Sequence, residues 1–381
     1  MERRTFLAGS ALSYWPANKV RLGVIGSGSR GTFVMTVFQK DPALEVGAIS
    51  DVYEPNLEKA LSRAKGAKAY RNYRDLLADR SIDAVLIATP EHWHHRMVLD
   101  ALAAGKDVYV EKPLCRTPEE GLELVEAERK SKQIVQVGMQ RRSYDLYQEA
   151  REVIGAGTLG TVRMVRSWWL NNHVTAKPAT ALEGKLDWEA WQGPAERRPF
   201  DANRFRAWRF YSDYAGGIVA DQGAHVFDGI QMLMGAGYVK AVTAAGLPAL
   251  RPGGDLPDCA VVSAEYPEGF LATFTVNYAA MRYQTRNDQL NQADGDKARM
   301  DIGRETFRVL PAGDEERPLL EKRSAKGFGW ATDLHVQNFL ECVRTRQKPT
   351  APMALGFQAA LVVQLANRSL KEGRRMEWTG R

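Results

Sequence analysis

Val20-Arg21-Leu22-Gly23-Val24-Ile25-Gly26-Ser27-Gly28-Ser29-Arg30-Gly31 is the stretch on which the fold turns. A short apolar run of strand type leads straight into glycines spaced G-x-G-x-x-G, and residues 32–39 after them read as a helix. Strand, glycine turn and helix form the setting in which this spacing carries meaning. Gly26 permits the tight turn, Gly28 lets backbone approach a pyrophosphate, and Gly31 lets helix and strand pack closely. The helix start, with Ser29 and Arg30 in the same turn, offers N–H groups and partial positive charge to phosphates.

A second strand, 45–50, ends at Asp51. An acid there accepts both hydroxyls of an adenosine ribose and repels a 2′-phosphate. Val52, Tyr53 and Glu54 follow with no basic residue among them, so NAD is expected and NADP is not. The alternation continues with strand 84–88, helix 91–104, strand 107–110, helix 117–131 and strand 134–138. That order predicts a parallel, doubly wound sheet. Ligands of such sheets lie outside the carboxyl ends of the strands, which here carry Thr89-Pro90, Glu111-Lys112-Pro113 and Gln140.

The whole chain is 381 residues, 44% hydrophobic and 26% charged. At about 150 residues per domain that length predicts two or three domains. No run of apolar residues is long enough to cross a membrane. The net charge of +6 is scattered along the length and does not argue for nucleic acid. Cys115, Cys259 and Cys342 are far apart with no CxxC, so neither a disulfide framework nor a cysteine zinc site is expected. His92, His94 and His95 lack carboxylate or thiolate partners at ligand spacing, and no metal is expected. Residues 1–18 begin Met1-Glu2-Arg3-Arg4-Thr5-Phe6-Leu7 and continue small and apolar, which resembles a twin-arginine export signal. Tyr14-Trp15-Pro16 interrupts the apolar part. A periplasmic location is expected, or a cytoplasmic one if the arginine pair is chance.

Further motifs carry a family resemblance. They are the glycine loop with Arg30, Thr89-Pro90-Glu91-His92-Trp93-His94, and Ala104-Gly105-Lys106-Asp107-Val108-Tyr109-Val110-Glu111-Lys112-Pro113-Leu114. Gly138-Met139-Gln140-Arg141-Arg142 and Gly216-Gly217-Ile218-Val219-Ala220-Asp221-Gln222-Gly223-Ala224-His225 complete the set. With these the chain resembles the Gfo/Idh/MocA oxidoreductases from about residue 19 to the C-terminal helices. The resemblance implies a Rossmann domain at 19–140 and an α/β domain at 141–381 with a large, open, mostly antiparallel sheet. It also implies reversible hydride transfer between a nicotinamide and a hydroxyl carbon of a sugar or polyol, and homodimers or homotetramers formed through the sheet face. The second half agrees on its own terms: 161–170, 259–266 and 270–277 have strand composition, and 333–345 and 355–370 have helical periodicity. The polar stretch 284–298 reads as a loop.

Residues 217–234 read as a helix, which puts Asp221 and His225 on one face, about 5–6 Å apart at Cβ. Asp228 and Met232 continue the stripe. Gly223 inside that helix costs about 1 kcal/mol relative to Ala and signals close approach by another element. Histidine suits removal of a hydroxyl proton because its ordinary pKa lies near working pH. By resemblance Lys112 joins the pair as the hydroxyl polariser, with His225 as general acid/base and Asp221 orienting them or touching substrate. Taken without Lys112, the pair reads instead as a capped helix histidine with Asp221 as a surface salt-bridge partner. His94 is assigned by resemblance to the nicotinamide end; His92 and His95 read as polar surface. Trp93 lies either against the cofactor or in the core.

Segments 186–194 and 204–214 are dense in aromatics and arginine, groups that stack on sugar faces and bind hydroxyls. Arg142, Trp208 and Tyr211 are the candidate substrate contacts. A carbohydrate dehydrogenase is therefore the leading expectation. One rival is a redox-neutral glycosidase that keeps NAD bound; the glycosidases it most resembles replace the lysine of Glu-Lys-Pro, which is present here as Lys112. The other is a non-catalytic nucleotide sensor.

Overall fold

The computed structural model describes residues 19–171, 181–251, 253–279 and 289–380. The leader-like residues 1–18 lie outside them, as does part of the polar stretch, 284–288.

Eleven elements build the first layer: β1 (Val20–Ile25), α1 (Ser29–Phe38), β2 (Leu44–Ser50), α2 (Glu54–Leu61), β3 (Lys68–Tyr70), α3 (Tyr73–Ala78), β4 (Ala84–Ile87), α4 (His94–Ala103), β5 (Asp107–Val110), α5 (Pro118–Lys130) and β6 (Val135–Val137). The strands lie parallel in the order β3-β2-β1-β4-β5-β6. β4, β5 and β6 are buried throughout, as continuous apolar strands covered on both faces must be. The order reverses between β1 and β4, so the crevice for a ligand opens above Gly26 and Thr89. Strand β3 escapes sequence reading because its three residues are largely exposed and carry no apolar run.

The rest comprises α6 (Asp145–Gly155), β7 (Val162–Leu170), α7 (Trp188–Gln192), α8 (Ala202–Arg206), α9 (Gly217–Met234), β8 (Ala241–Leu247), β9 (Cys259–Glu265), β10 (Leu271–Asn277), β11 (Gln289–Gly295), β12 (Ala298–Ile302), β13 (Thr306–Pro311), β14 (Leu320–Arg323), α10 (Gly329–Thr345), α11 (Met353–Glu372) and β15 (Met376–Glu377). Its nine strands run β14-β13-β12-β11-β7-β10-β9-β8-β15, antiparallel except where β7 meets β10. Alternate residues such as Ala272, Phe274 and Val276 are buried, beneath α9 and α11. Gly223 is the point of contact: a Cβ there would lie 2.8 Å from Val363 of α11. The close approach its position implied is therefore made by α11.

Two features depart from the sequence reading. The stretch 284–298 is not all loop, since 289–295 is β11, paired with β7. Its polar residues are matched by hydrogen bonds instead of apolar contact: Ser167 Oγ donates to Asn291 Oδ1 (2.6 Å) and Gln292 Nε2 to Asp301 Oδ1 (2.8 Å). Helix α10, late in the chain, packs against α1, where Phe38, Tyr109 and Phe339 meet edge to face at 5.6–5.8 Å. No described helix is long and apolar enough to cross a membrane.

Candidate active site

The glycine loop has the shape its spacing demands. Gly26 sits at φ +83°, and a Cβ on Gly31 would lie 2.0 Å from the Gly26 carbonyl oxygen. Gly28 faces open space, with Asn56 Nδ2 at 3.7 Å the nearest atom to a Cβ built there. A side chain at 28 would fill the cradle; its absence leaves room for a pyrophosphate, so the residues fit a dinucleotide. Asp51 is held beside the loop: Oδ2 accepts from Ser27 N (2.8 Å) and Oγ (3.0 Å), and Oδ1 from Tyr53 N (2.9 Å). Burial raises its pKa, and these bonds pull the other way.

Gly26, Gly28, Ser29, Arg30, Asp51, Thr89, Pro90 and Trp93 line a cleft of about 1190 Å³. Its opposite wall comes from residues 187–209, Trp208 and Arg209 among them. Lys112, Asp221 and His225 do not line this cleft, and an arginine on each side of it leads toward them. Arg30 Nε bonds Glu111 Oε1 (2.8 Å), and Arg209 Nε approaches Asp221 Oδ1 (3.5 Å).

Lys112 leaves the end of β5 through a cis peptide to Pro113 and reaches across to α9. Its Nζ donates to both the backbone carbonyl (2.6 Å) and Oδ1 (2.7 Å) of Asp221. Gln222 Nε2 donates to Asp221 Oδ2 (2.9 Å). Burial pushes the Asp221 carboxyl up, but Lys112 and Arg209 outweigh it and hold the pKa down at about 2. Asp221 is thus a permanent anion. One turn on, the His225 imidazole has no hydrogen-bond partner among the described residues. Burial first, then the charges of Lys112, Arg141, Arg30 and Arg304, push its pKa well below the usual histidine range. The ring is held in its neutral form, the form a general base needs, although the same charges oppose its protonation.

His94 is buried behind the cleft, between the carbonyls of Pro113 (2.7 Å) and Thr89 (3.0 Å), where it ties the two loops together. Gln140 is likewise buried and lines no part of the cleft. His92 corrects the expectation of a surface residue: it is 4% exposed, its Nε2 lies 3.0 Å from the Trp191 carbonyl, and burial holds its pKa down at about 3. His95 does lie toward the surface, against Glu123. Trp93 is partly buried, lining the cleft while its Nε1 donates to the Trp191 carbonyl (2.9 Å).

The candidate substrate contacts separate. Trp208 is in the cleft wall, with the Arg209 guanidinium 4.2 Å over its ring. Tyr211 is buried at 2% exposure beneath Arg204 and lies outside the wall. Arg142 is taken by Asp228, a buried ion pair two turns beyond Asp221 along the same face of α9. Sequence reasoning missed Arg209, which reaches Asp221, and Glu91, whose Oε2 accepts from Gly216 N (2.9 Å) at the start of α9. The aromatic density of 186–214 is the available signal for the far wall, although composition alone points to sugar binding. Among the described residues no three His, Cys, Asp or Glu side chains converge on a metal-sized site.

Residues 20–139 match the family described as "Oxidoreductase family, NAD-binding Rossmann fold", and residues 147–300 match the "GFO/IDH/MocA C-terminal domain". Inositol 2-dehydrogenase 2 of Saccharopolyspora erythraea is 34% identical over 166 residues, 43% of this chain and 49% of that protein. The chain therefore spans about half the length of that relative. Myo-inositol 2-dehydrogenase of Thermotoga maritima is 27% identical over 93% of this chain and 97% of its own length. Among solved structures, a levoglucosan dehydrogenase in complex with NADH and levoglucosan superposes with a TM-score of 0.76, at 20% identity, over 94% of this chain and 99% of that one. At that identity the likeness speaks for the fold.

Proposed function

Because the chain belongs to the Gfo/Idh/MocA family of NAD-binding oxidoreductases, we propose that it moves a hydride between NAD and a secondary hydroxyl carbon of a polyol or sugar. The observation that carries this is the Lys112–Asp221 clasp one helical turn from a neutral His225 that has no hydrogen-bond partner among the described residues. Bound NAD supplies the hydride acceptor. Gly26, Gly28 and Arg30 hold its phosphates, and Asp51 its ribose. His225 takes the hydroxyl proton onto a ring nitrogen. Lys112 has three N–H donors, two of them occupied by Asp221, and the third polarises the substrate oxygen. Asp221 keeps that ammonium aimed. The names of the relatives, inositol and levoglucosan dehydrogenases, support a polyol or anhydrosugar.

The test is a panel of inositols, sugars and anhydrosugars added to protein carrying NAD, reading reduced nucleotide by its fluorescence. Reduction by one class of polyol, lost in His225→Ala, is the expected result. Nucleotide that binds and is never reduced sinks the proposal. An aryl-glycoside arm addresses the redox-neutral glycosidase, which would release aglycone with no net reduced nucleotide.

The outward face of the nine-stranded sheet exposes Leu247, Val261 and Leu271, 38–62% accessible, and we assign it to self-association. Light scattering on wild type and Val261→Lys tests this: a smaller particle in the variant is expected, and a monomeric wild type defeats it. Export through the twin-arginine route is the matching proposal for location, read by fractionating cells that express the full chain.

A further inference from the structure

Helix α9, which carries Asp221 and His225, begins on two glycines, Gly216 and Gly217, the second at φ +71°. Gly216 has no side chain with which to cap the helix, and a glycine pair is conformationally loose. The start of α9 is therefore set from outside. Glu91 stands in the turn directly after Thr89-Pro90, 125 residues away in sequence, and its Oε2 accepts from Gly216 N (2.9 Å). Asn367 Nδ2, from α11, donates to the Gly216 carbonyl (2.8 Å), so both polar groups of that glycine are gripped. The fit is close: a Cβ on Gly216 would lie 2.5 Å from Ala220 Cβ and 2.9 Å from Asn367 Nδ2. A further bond, His92 N to the Tyr214 carbonyl (3.2 Å), joins the same two segments. Glu91 is 3% exposed, and its Oε1 has no hydrogen-bond partner among the described residues. Burial pushes its pKa up to about 7, Gly216 N pulling against the rise, Asp221 adding to it, and Lys112 and Arg209 pulling against it. Burying a carboxyl with so few partners is costly, and a side chain that only filled this space would not need one.

We propose that Glu91 is a positioning residue of the hydride-transfer site, which caps α9 from outside the helix and so ties the loop that lines the nucleotide cleft to the turn that holds Lys112. The inference rests on reading Lys112, Asp221 and His225 as that site and adds what seats their helix. Thr89 and Pro90, immediately before Glu91, line the cleft, whereas Glu91 itself does not. Asp221 follows Gly216 in the first turns of α9, and its carbonyl and Oδ1 are the two groups that hold the Lys112 ammonium. A shift of the helix start moves both acceptors at once. Displacements near 1 Å cost about 10²-fold in rate even when they originate away from the reacting atoms. Glu91 thus acts through α9 and not on the reacting atoms.

Three variants of the full-length protein decide it, read by amide hydrogen exchange at residues 216–221, by kcat and KM, and by melting temperature. Glu91→Ala removes the acceptor, and exchange at 216–221 speeds by about two- to thirtyfold, the range for loss of a helix cap. Its kcat falls by about 10- to 100-fold while the KM for NAD stays within about twofold of wild type. The melting temperature drops by no more than about 2–4 °C. Glu91→Gln keeps an oxygen at the same reach without the charge, and brings exchange and kcat back to within about threefold of wild type. Glu91→Asp keeps the carboxyl but falls short by one methylene, so it behaves as the alanine variant does and guards against an alanine variant that fails to fold. Folded Glu91→Ala and Glu91→Asp with wild-type exchange and kcat overturn the proposal. A glutamine variant as slow as alanine also overturns it, because charge and not the bond to Gly216 then carries the effect. A fall in kcat no larger than the fall in folded fraction reduces Glu91 to a structural residue. Exchange that responds as expected, in a protein that reduces NAD with no polyol, defeats the oxidoreductase reading and leaves the cap in place.

Discussion

Two ion pairs tie helix α9 to the segments that follow β5 and β6, and they do opposite things. Lys112–Asp221 and Arg142–Asp228 are seven residues apart on the helix, both at hydrogen-bonding distance and both largely shielded from water. Asp221 receives Lys112 twice, Arg209 and Gln222, and its pKa falls to about 2. Among the described residues Asp228 has Arg142 as its one ion-pair partner, its side chain is 1% exposed, and burial wins: its pKa is raised. The difference is one of donor number against burial. A carboxylate with several donors stays charged and can hold a lysine in place for chemistry. One sealed with a single arginine fixes the helix and is tuned for nothing else.

The largest effect expected is at His225, which stands next to the first pair. His225→Ala lowers kcat by about 10²- to 10⁴-fold, the range for loss of a general base. Its removal also abolishes the fall in activity on the acid side, because in the wild type a neutral ring gains a proton as pH drops through its lowered pKa. A variant with an unchanged pH–rate profile excludes His225 as the base.

Next comes the second pair. Asp228→Ala leaves a buried guanidinium without its carboxylate and costs about 3–5 kcal/mol of stability by urea unfolding. The kcat of the fraction that stays folded changes little. A large loss of kcat with full stability dissolves the contrast between the two pairs. Lys112→Ala gives the converse pattern. Loss of one polarising donor lowers kcat by about 10²- to 10³-fold, and the melting temperature moves far less than in Asp228→Ala.

How much of this was legible in the sequence follows the range of the interactions. The glycine loop, Asp51 and the spacing of Asp221 from His225 are set within a turn or one strand–helix unit, and the geometry agrees with what the residues imply. Lys112 and Asp221 could be joined only through family resemblance, since 109 residues separate them. The errors fall where the outcome depends on which distant group arrives. Arg142 reads as a substrate contact and Asp228 as one more residue of the helical stripe, and only the fold shows that they pair with each other. His92 looks polar and exposed until Trp191 covers it. The aromatic segment shows its composition plainly, but whether rings face a ligand or one another is decided by contacts from Tyr53 to Tyr214. Strand β11 hides because its pairing is polar, satisfied by Ser167 and Asp301 across the sheet.

The smallest effect separates the two aspartates most cleanly, because their signs differ. Asp221 has a folded pKa below its ordinary value, so its ionised form favours folding. That stability is present above about pH 4 and lost as pH falls toward 2, worth about 2 kcal/mol. Asp228 has a folded pKa above its ordinary value, so its ionised form disfavours folding. That penalty is present above the raised pKa, and stability recovers as pH falls through it. Urea unfolding across acid pH on wild type, Asp221→Asn and Asp228→Asn isolates each contribution by difference. The Asp221 variant removes a loss of stability at low pH, whereas the Asp228 variant removes a gain. Differences of the same sign in both variants would show that burial governs the two carboxylates alike, and that the extra donors at Asp221 do not hold its charge.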